Sequence, residues 1–167
     1  PPPGWSVANP AAVKAVAAAL LAEQPVALVH EAGDAGWLLR SGAPFEATRA
    51  ASDPDGKACV RITDCAVVTG DTELVLHPPV LAVGVGCERG AAIPDLVSLV
   101  DAMLRQASLA PASVACVASI DVKADEAAVH ALAEHLGVPA RFFAAVELEA
   151  QAPRLRNPSD AVFHAVG

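Results

Sequence analysis

The chain has 167 residues, 54% of them hydrophobic and 18% charged, with a formal net charge of −8. That is apolar content for one compact α/β domain or two small ones. The acidic balance, with 11 Lys and Arg scattered along the chain, excludes the basic stripe by which a protein displaces counterions from nucleic acid.

No apolar run reaches the roughly 20 residues that span a bilayer. No charged segment followed by an apolar core opens the chain. The sequence therefore predicts a cytoplasmic protein with neither membrane nor nucleic-acid partners. It begins PPPGW without a methionine, which reads as a piece of a longer protein.

Asn9 and Pro10 predict a helix start, with an amide N-cap and proline in the first turn. The helix runs through AAVKAVAAALLAE to about Glu23, with Val13, Val16, Leu20 and Leu21 on its apolar side. QPVALVH (24–30) reads as a buried strand. Residues 31–57 read as a polar loop, with DPDG as a turn. ACVRITD, CAVVTG and ELVLHPP are strand candidates, and Gly70-Asp71 reads as a hairpin turn.

The pattern changes at Pro78 and Pro79. VLAVGVG, SVACVASI and ARFFAAV are uniformly apolar strands. Between them lie a helix opened by Pro94, carrying Leu96, Val97, Val100, Met103 and Leu104, and the helix DEAAVHALAEHLG. Acids in the first turn of the latter suit the helix dipole, and Gly137 with Pro139 supplies its stop. Apolar strands separated by amphipathic helices predict a mainly parallel sheet covered on both faces. The fold class is α/β: a smaller N-terminal unit (1–79), then a three-layer α/β/α unit (80–167). NPSDAVFHAVG at the end reads as a turn into a further helix, with His164 on its surface.

The four cysteines, Cys59, Cys65, Cys87 and Cys116, form no CxxC pair. Three lie in strand-like runs, so mostly buried, reduced thiols are expected. His130 and His135 sit five apart on a helix, roughly 140° around its axis, and do not share an ion. No metal site and no cofactor are predicted.

Two segments carry candidate chemistry. GVGCERG (84–90) follows a strand and precedes a helix, where ligands of parallel sheets bind. Its amides, with Gly84, Gly86 and Gly90, offer donors to an anion. A dinucleotide fingerprint fits poorly, since Gly90 is one place late and Asp121 lies far beyond the roughly 20 residues expected for a ribose-binding acid. The plainer reading is a glycine corner for close packing. Cys87, near a helix start and beside Arg89, sits where thiol pKa values fall, though a small half-buried turn cysteine is the leading reading and no His or Asn is positioned by sequence to pair with it. ASIDVKADE (118–126) is placed at the same sheet edge. Ser119, Lys123 and Glu126 are expected to converge there with Arg89. The alternative gives Lys123 to solvent, Asp125 to capping and Glu126 to the first turn.

The order of GVGCERG, ASIDVKADE, HLGVPARFF and NPSDAVFHAVG resembles the C-terminal domain of the CbiG/CobE family of cobalamin (vitamin B12) biosynthesis proteins. GWSVANPAAVKAVAAALLAEQPVALVHEAGDAGW is similar to that family's central region. The resemblance implies work on the corrin ring. One form is a cobalt-precorrin 5A hydrolase that opens a δ-lactone and releases acetaldehyde. The other is a non-catalytic domain that binds or carries a tetrapyrrole intermediate, in some bacteria fused to a precorrin methyltransferase. A hydrolase needs a base and an oxyanion donor. Glu126, Lys123 and Cys87 are then the catalytic candidates. Gly84, Gly86, Arg89, Gly90 and Ser119 are the substrate-binding candidates, with Arg89 and Lys123 facing peripheral carboxylates.

Overall fold

The computed structural model describes residues 1–48 and 57–154. The DPDG turn and the closing NPSDAVFHAVG helix lie outside the described residues. By compactness the chain divides into two units. The first is Pro1–Leu81 with Asp101–Ala115, and the second is Ala82–Val100 with Cys116–Gly167. The fold is α/β, with parallel strand pairs in each unit.

The first unit is built on a five-stranded sheet. In chain order its strands are β1 (Ser6–Val7), β2 (Val26–His30), β3 (Phe45–Thr48), β4 (Cys59–Ile62) and β5 (Glu73–His77), and their order across the sheet is β1-β5-β4-β2-β3. β2 runs parallel to β3 and β4, and β4 parallel to β5. β1 closes one edge antiparallel to β5, with Ser6 opposite His77 and Val7 opposite Leu76.

Alternation along the strands sorts the side chains. Val26, Leu28, Val60, Ile62, Leu74 and Leu76 enter one core with Ala12 and Val16, and Trp5, Leu20 and Trp37 pack against it. Each fully buried Val, Leu or Ile contributes roughly 1.5–3 kcal/mol over exposure. Off that core, Arg61 lies between Glu73 (2.8 Å) and Glu31 (2.9 Å). Burial works against the Arg61 charge, but Glu73 and then Glu31 outweigh it and hold the guanidinium above its ordinary range.

Helix α1 (Val13–Leu21) follows a 3₁₀ turn at Pro10–Ala12. Val16 is buried and Leu20 partly so, whereas Val13 and Leu21 face solvent, so the apolar side is narrower than the sequence predicts. The 31–57 region also holds more structure than a loop. α2 (Gly36–Leu39) and the edge strand β3 both fall inside it. β3 is exposed along most of its length, which removes the apolar signal by which strands are read.

Two further expectations are corrected. Gly70-Asp71 is not a hairpin turn, because β5 pairs parallel to β4, Cys59 with Glu73 through Ile62 with Leu76. CAVVTG is no strand: it forms the crossover between them, fixed at Cys65 by a bridge to Leu109 and by Ala66 N donating to Ser108 O at 2.8 Å. Asn9, for its part, caps no helix with its side chain. Its Nδ2 donates to Glu73 O (2.7 Å) and Gly70 O (3.1 Å), and its Oδ1 accepts from Val75 N at 2.9 Å. One amide thus stands in for a missing stretch of strand beside β5. The thiols are also more open than expected, for only Cys59 is buried and the other three are half-buried.

The second unit carries a three-stranded sheet ordered β6-β7-β8, from β6 (Leu81–Gly84), β7 (Val114–Ile120) and β8 (Ala140–Phe143). β7 and β8 are parallel, from Val117 opposite Ala140 to Ile120 opposite Phe143. Helix α3 (Ile93–Gln106) buries Leu96, Val100 and Leu104 at i, i+4 and i+8. Its first half belongs to this unit and its second to the other. α4 (Ala127–Leu136) buries Ala128, Val129, Leu132 and Ala133 and ends at Gly137 in the left-handed conformation, φ 67°. β8 stops at Phe143, and α5 (Ala145–Glu149) takes up the remainder of ARFFAAV.

Replacing Asn9 by Ala removes three hydrogen bonds and leaves the fully buried Val75 without its amide partner. A loss of about 1–3 kcal/mol is expected, read as a lower midpoint in urea unfolding of the whole chain with an unchanged m-value.

Candidate functional site

The site is built at the ends of β6 and β7. Val85 N donates to Ala118 O at 2.8 Å, carrying the pairing one residue past β6. Residues 86–92 then turn into α3. After β7 the chain makes a 3₁₀ turn at Asp121–Lys123 and enters α4 at Ala127. The sequence-predicted segments 84–90 and 118–126 therefore lie together in the second unit.

Four contacts join them. Arg89 Nη1 donates to Asp125 Oδ1 at 2.8 Å, and Nη2 to the Val122 carbonyl at 2.7 Å. Gly90 N donates to the Glu126 carboxylate, at 3.1 Å to Oε2 and 3.3 Å to Oε1. Ser119 Oγ donates to the Val85 carbonyl at 2.8 Å. Gly90 has φ +73°, a backbone state that favours glycine, and this presents its amide to Glu126.

These contacts sort the predicted residues by what they are free to do. Glu126 is 5% exposed and Ser119 also 5%. Both are engaged with backbone, so each braces the turn. Glu126 is neither a first-turn acid nor a side-chain cap. Arg89 is different: its side chain is 60% exposed, and its aspartate partner 73%. Lys123 is half-buried and near enough to Asp125 to favour its charge. Cys87, half-buried, sits in the wall of an open concavity of about 340 Å³ with Gly86, Glu88, Ala91, Ala92, Asp95, Leu96 and Leu99. It makes none of the contacts that hold the turn.

The glycines carry a second finding. A Cβ at Gly84 or Gly86 would meet nothing within 4 Å, and neither has a left-handed φ. Close packing of helix against sheet therefore does not account for them, contrary to the plainer expectation. They leave the backbone of the turn open to close approach from outside.

Asp125 was expected only as a cap and is instead the partner of Arg89. Its sequence signal, an acid opposite an arginine on another loop, is visible only once the loops are placed. His130, on α4, donates from Nε2 to Ala124 O at 2.7 Å and lies 5.4 Å from the Phe142 ring. This supports the 121–126 turn from behind. Among the described residues, no group of three His, Cys, Asp or Glu is placed to hold a metal ion.

The hydrogen bond from Arg89 holds the Asp125 carboxyl below its ordinary range. A carboxyl lowered on folding contributes above its unfolded pKa, and the contribution is lost as pH falls through the lowered value. In a carbon-detected NMR titration, Arg89→Gln should move the Asp125 midpoint back up towards an ordinary aspartate. An unmoved midpoint would show that the ion pair does not form in solution. Separately, Glu126→Ala should speed hydrogen exchange at the Gly90 amide about tenfold, for a local loss of about 1.4 kcal/mol. Glu126→Gln, whose amide oxygen still accepts, should change it little.

Comparison with known proteins agrees with the residue-level reading. Residues 81–167 match the family model for the cobalamin synthesis G C-terminus, and residues 2–78 match that for the cobalamin biosynthesis central region. Protein CobE of Sinorhizobium sp is 44% identical over 87 residues, covering 52% of this chain and 56% of that protein. A cobalt-precorrin-5A hydrolase of Priestia megaterium is 24% identical over 176 residues, covering 98% of this chain and 46% of that enzyme. The chain thus spans about half the length of the curated relatives it matches. Among solved structures, CobE from the cobalamin (vitamin B12) biosynthetic pathway gives a TM-score of 0.47 at 34% identity, over 52% of this chain and 61% of that one. A cobalamin biosynthesis protein G homolog from Sulfolobus solfataricus gives 0.43 at 16%, over 94% and 45%. With a family model covering residues 81–167 and a second covering 2–78, this chain belongs to the CbiG family of cobalamin biosynthesis proteins, and it carries that family's central region and C-terminus.

Proposed function

We propose that the second unit binds a carboxylated tetrapyrrole intermediate of cobalamin biosynthesis, and that it does so without chemistry of its own. The observation that carries this reading is the contrast within one turn. Gly84 and Gly86 leave the backbone open where neither conformation nor packing requires glycine, and Arg89 is largely exposed beside them. Glu126 and Ser119, by contrast, are buried and committed to main-chain partners. A ring edge lies against the bare backbone, while a peripheral carboxylate replaces Asp125 on the guanidinium. Bidentate arginine–carboxylate pairing suits such an exchange, since one carboxylate takes the place of another. Lys123, next to Asp125, adds a second positive charge for a neighbouring carboxylate.

The match of residues 81–167 to the cobalamin synthesis G C-terminus supports a ligand from that pathway. A second reading, hydrolysis of a cobalt-precorrin lactone, is favoured by the hydrolase of Priestia megaterium, whose similarity runs over 98% of this chain. In that reading Glu126 needs to leave the Gly90 amide to activate water, with Lys123 and Cys87 as further candidates. A precorrin methyltransferase, fused or associated, is the partner class that fits either role.

Binding is measured with uroporphyrin III, an octacarboxylate tetrapyrrole, by quenching of its fluorescence. Gly86→Ala should leave the unfolding midpoint unchanged or slightly raised, because an open position with ordinary φ loses only unfolded-state freedom. It should nonetheless weaken uroporphyrin binding. Arg89→Gln should weaken it about 10- to 100-fold, the worth of a charge-assisted pair of about 1.5–3 kcal/mol. If both variants bind as the parent does, the turn is not the site. Release of acetaldehyde from cobalt-precorrin 5A by the chain would overturn the non-catalytic half of the proposal.

A further inference from the structure

The sheet of the second unit carries a single charge. Its strands read LAVG, VACVASI and ARFF, and Arg141 is the one charged residue in them. Arg141 is exposed, and it makes no hydrogen bond or ion pair among the described residues. Arg89, at the end of the same sheet, is by contrast held by Asp125 and by the Val122 carbonyl. An exposed arginine is ordinary by itself. The register of the strands gives this one a use.

Val80 N donates to Ser113 O at 3.0 Å, and Val85 N to Ala118 O at 2.8 Å. The two bonds share one offset along the chain, so β6 runs parallel to β7. The second bond sets Gly84 beside Ala118 and Val85 beside Ser119. Ala118 is in turn the partner of Arg141 on β8. Residues side by side in neighbouring strands project to one face. Gly84, Ala118 and Arg141 therefore form one row across the sheet, roughly 10 Å long at about 4.8 Å per strand step. Val85 and Ser119, in the adjoining row, are buried and belong to the covered face. The face of the Arg141 row is open. Ala82, Gly84 and Arg141 are exposed there, and a Cβ at Gly84 would meet nothing within 4 Å. None of the three strands holds an acid, so the row is apolar up to its one positive end.

We infer that Arg141 is a second carboxylate-binding residue of the proposed ring site, acting across the open face of the sheet. The inference rests on the proposal that a carboxylated ring lies against the turn after β6. A ring edge placed on Gly84 also covers Ala118, its neighbour in the row. A peripheral carboxylate on that edge then meets the Arg141 guanidinium. Arg89 takes a carboxylate at the ends of the strands, and Arg141 takes one at the side of the sheet. Guanidiniums suit both places, since each pairs with a carboxylate through two parallel N–H groups. Two of them around one face favour a rigid plate with several peripheral carboxylates. A ligand with a single carboxylate satisfies only one. Arg141 is also the readier of the two, because no internal carboxylate has to leave it first.

Uroporphyrin III titrated into the whole chain tests the inference. Arg141→Gln should weaken binding about fivefold, the upper worth of an exposed ion pair. Arg141→Lys, which keeps the charge, should lose less. Neither should move the unfolding midpoint, because no described residue pairs with Arg141. Gly84→Val, at a strand position with room for the side chain, should keep or raise the midpoint. It should nonetheless weaken binding, by lifting the ring from the face. In methyl-detected NMR the Ala118 methyl should move upfield beneath the ring, whereas those of Ala128 and Ala133, buried in α4, should not. An Ala118 methyl unmoved at saturation would overturn the inference. So would parent-like binding by Arg141→Gln while Arg89→Gln binds weakly, a result that leaves the turn as the site. Parent-like binding by both arginine variants would remove the turn as well.

Discussion

The bond between the Gly90 amide and the buried Glu126 carboxylate is the constraint on which the rest of the second unit depends. A carboxylate removed from water is costly unless it is hydrogen-bonded. Here its partner is the amide of a glycine in a left-handed turn. The geometry therefore fixes two loops at once: the residues after β6 take the turn that offers the amide, and the start of α4 takes the position that offers the acid. Everything exposed on the turn, Arg89 above all, inherits its place from that buried bond.

The electrostatics divide along the same line. Buried members of the cluster face main chain, and exposed members face solvent. Arg89 and Asp125 form an exposed pair that salt screens. The chain as a whole carries −8, which opposes a polyanionic ligand at long range. The proposed binding is therefore a local one, through one guanidinium, a nearby lysine and a bare stretch of backbone.

Much of this was legible in the residues. Apolar strands separated by amphipathic helices predicted parallel pairing, and the placement of GVGCERG and ASIDVKADE at strand ends brought Arg89, Gly90 and Glu126 into one cluster. What each group does there was not legible. Sequence spacing does not reveal that Glu126 turns inward to an amide or that Asp125 turns outward to an arginine, because that depends on a left-handed glycine and on the path of a 3₁₀ turn. The first unit was harder for a related reason. β3 is exposed and lacks an apolar pattern, the parallel β4–β5 crossover contains a glycine–aspartate pair that imitates a hairpin, and Asn9 spends its amide on β5 instead of a helix. In each case a long-range contact prevailed over a local signal.

The central claim, that the turn after β6 receives a carboxylated ring on Arg89 and open backbone, is tested most directly by amide chemical-shift mapping of the whole chain titrated with uroporphyrin III. The account predicts saturable shifts centred on residues 84–90 and 121–125, with the Gly90 amide still protected by Glu126 in the bound state. Shifts centred elsewhere, or none at ligand concentrations that saturate fluorescence quenching, would contradict it.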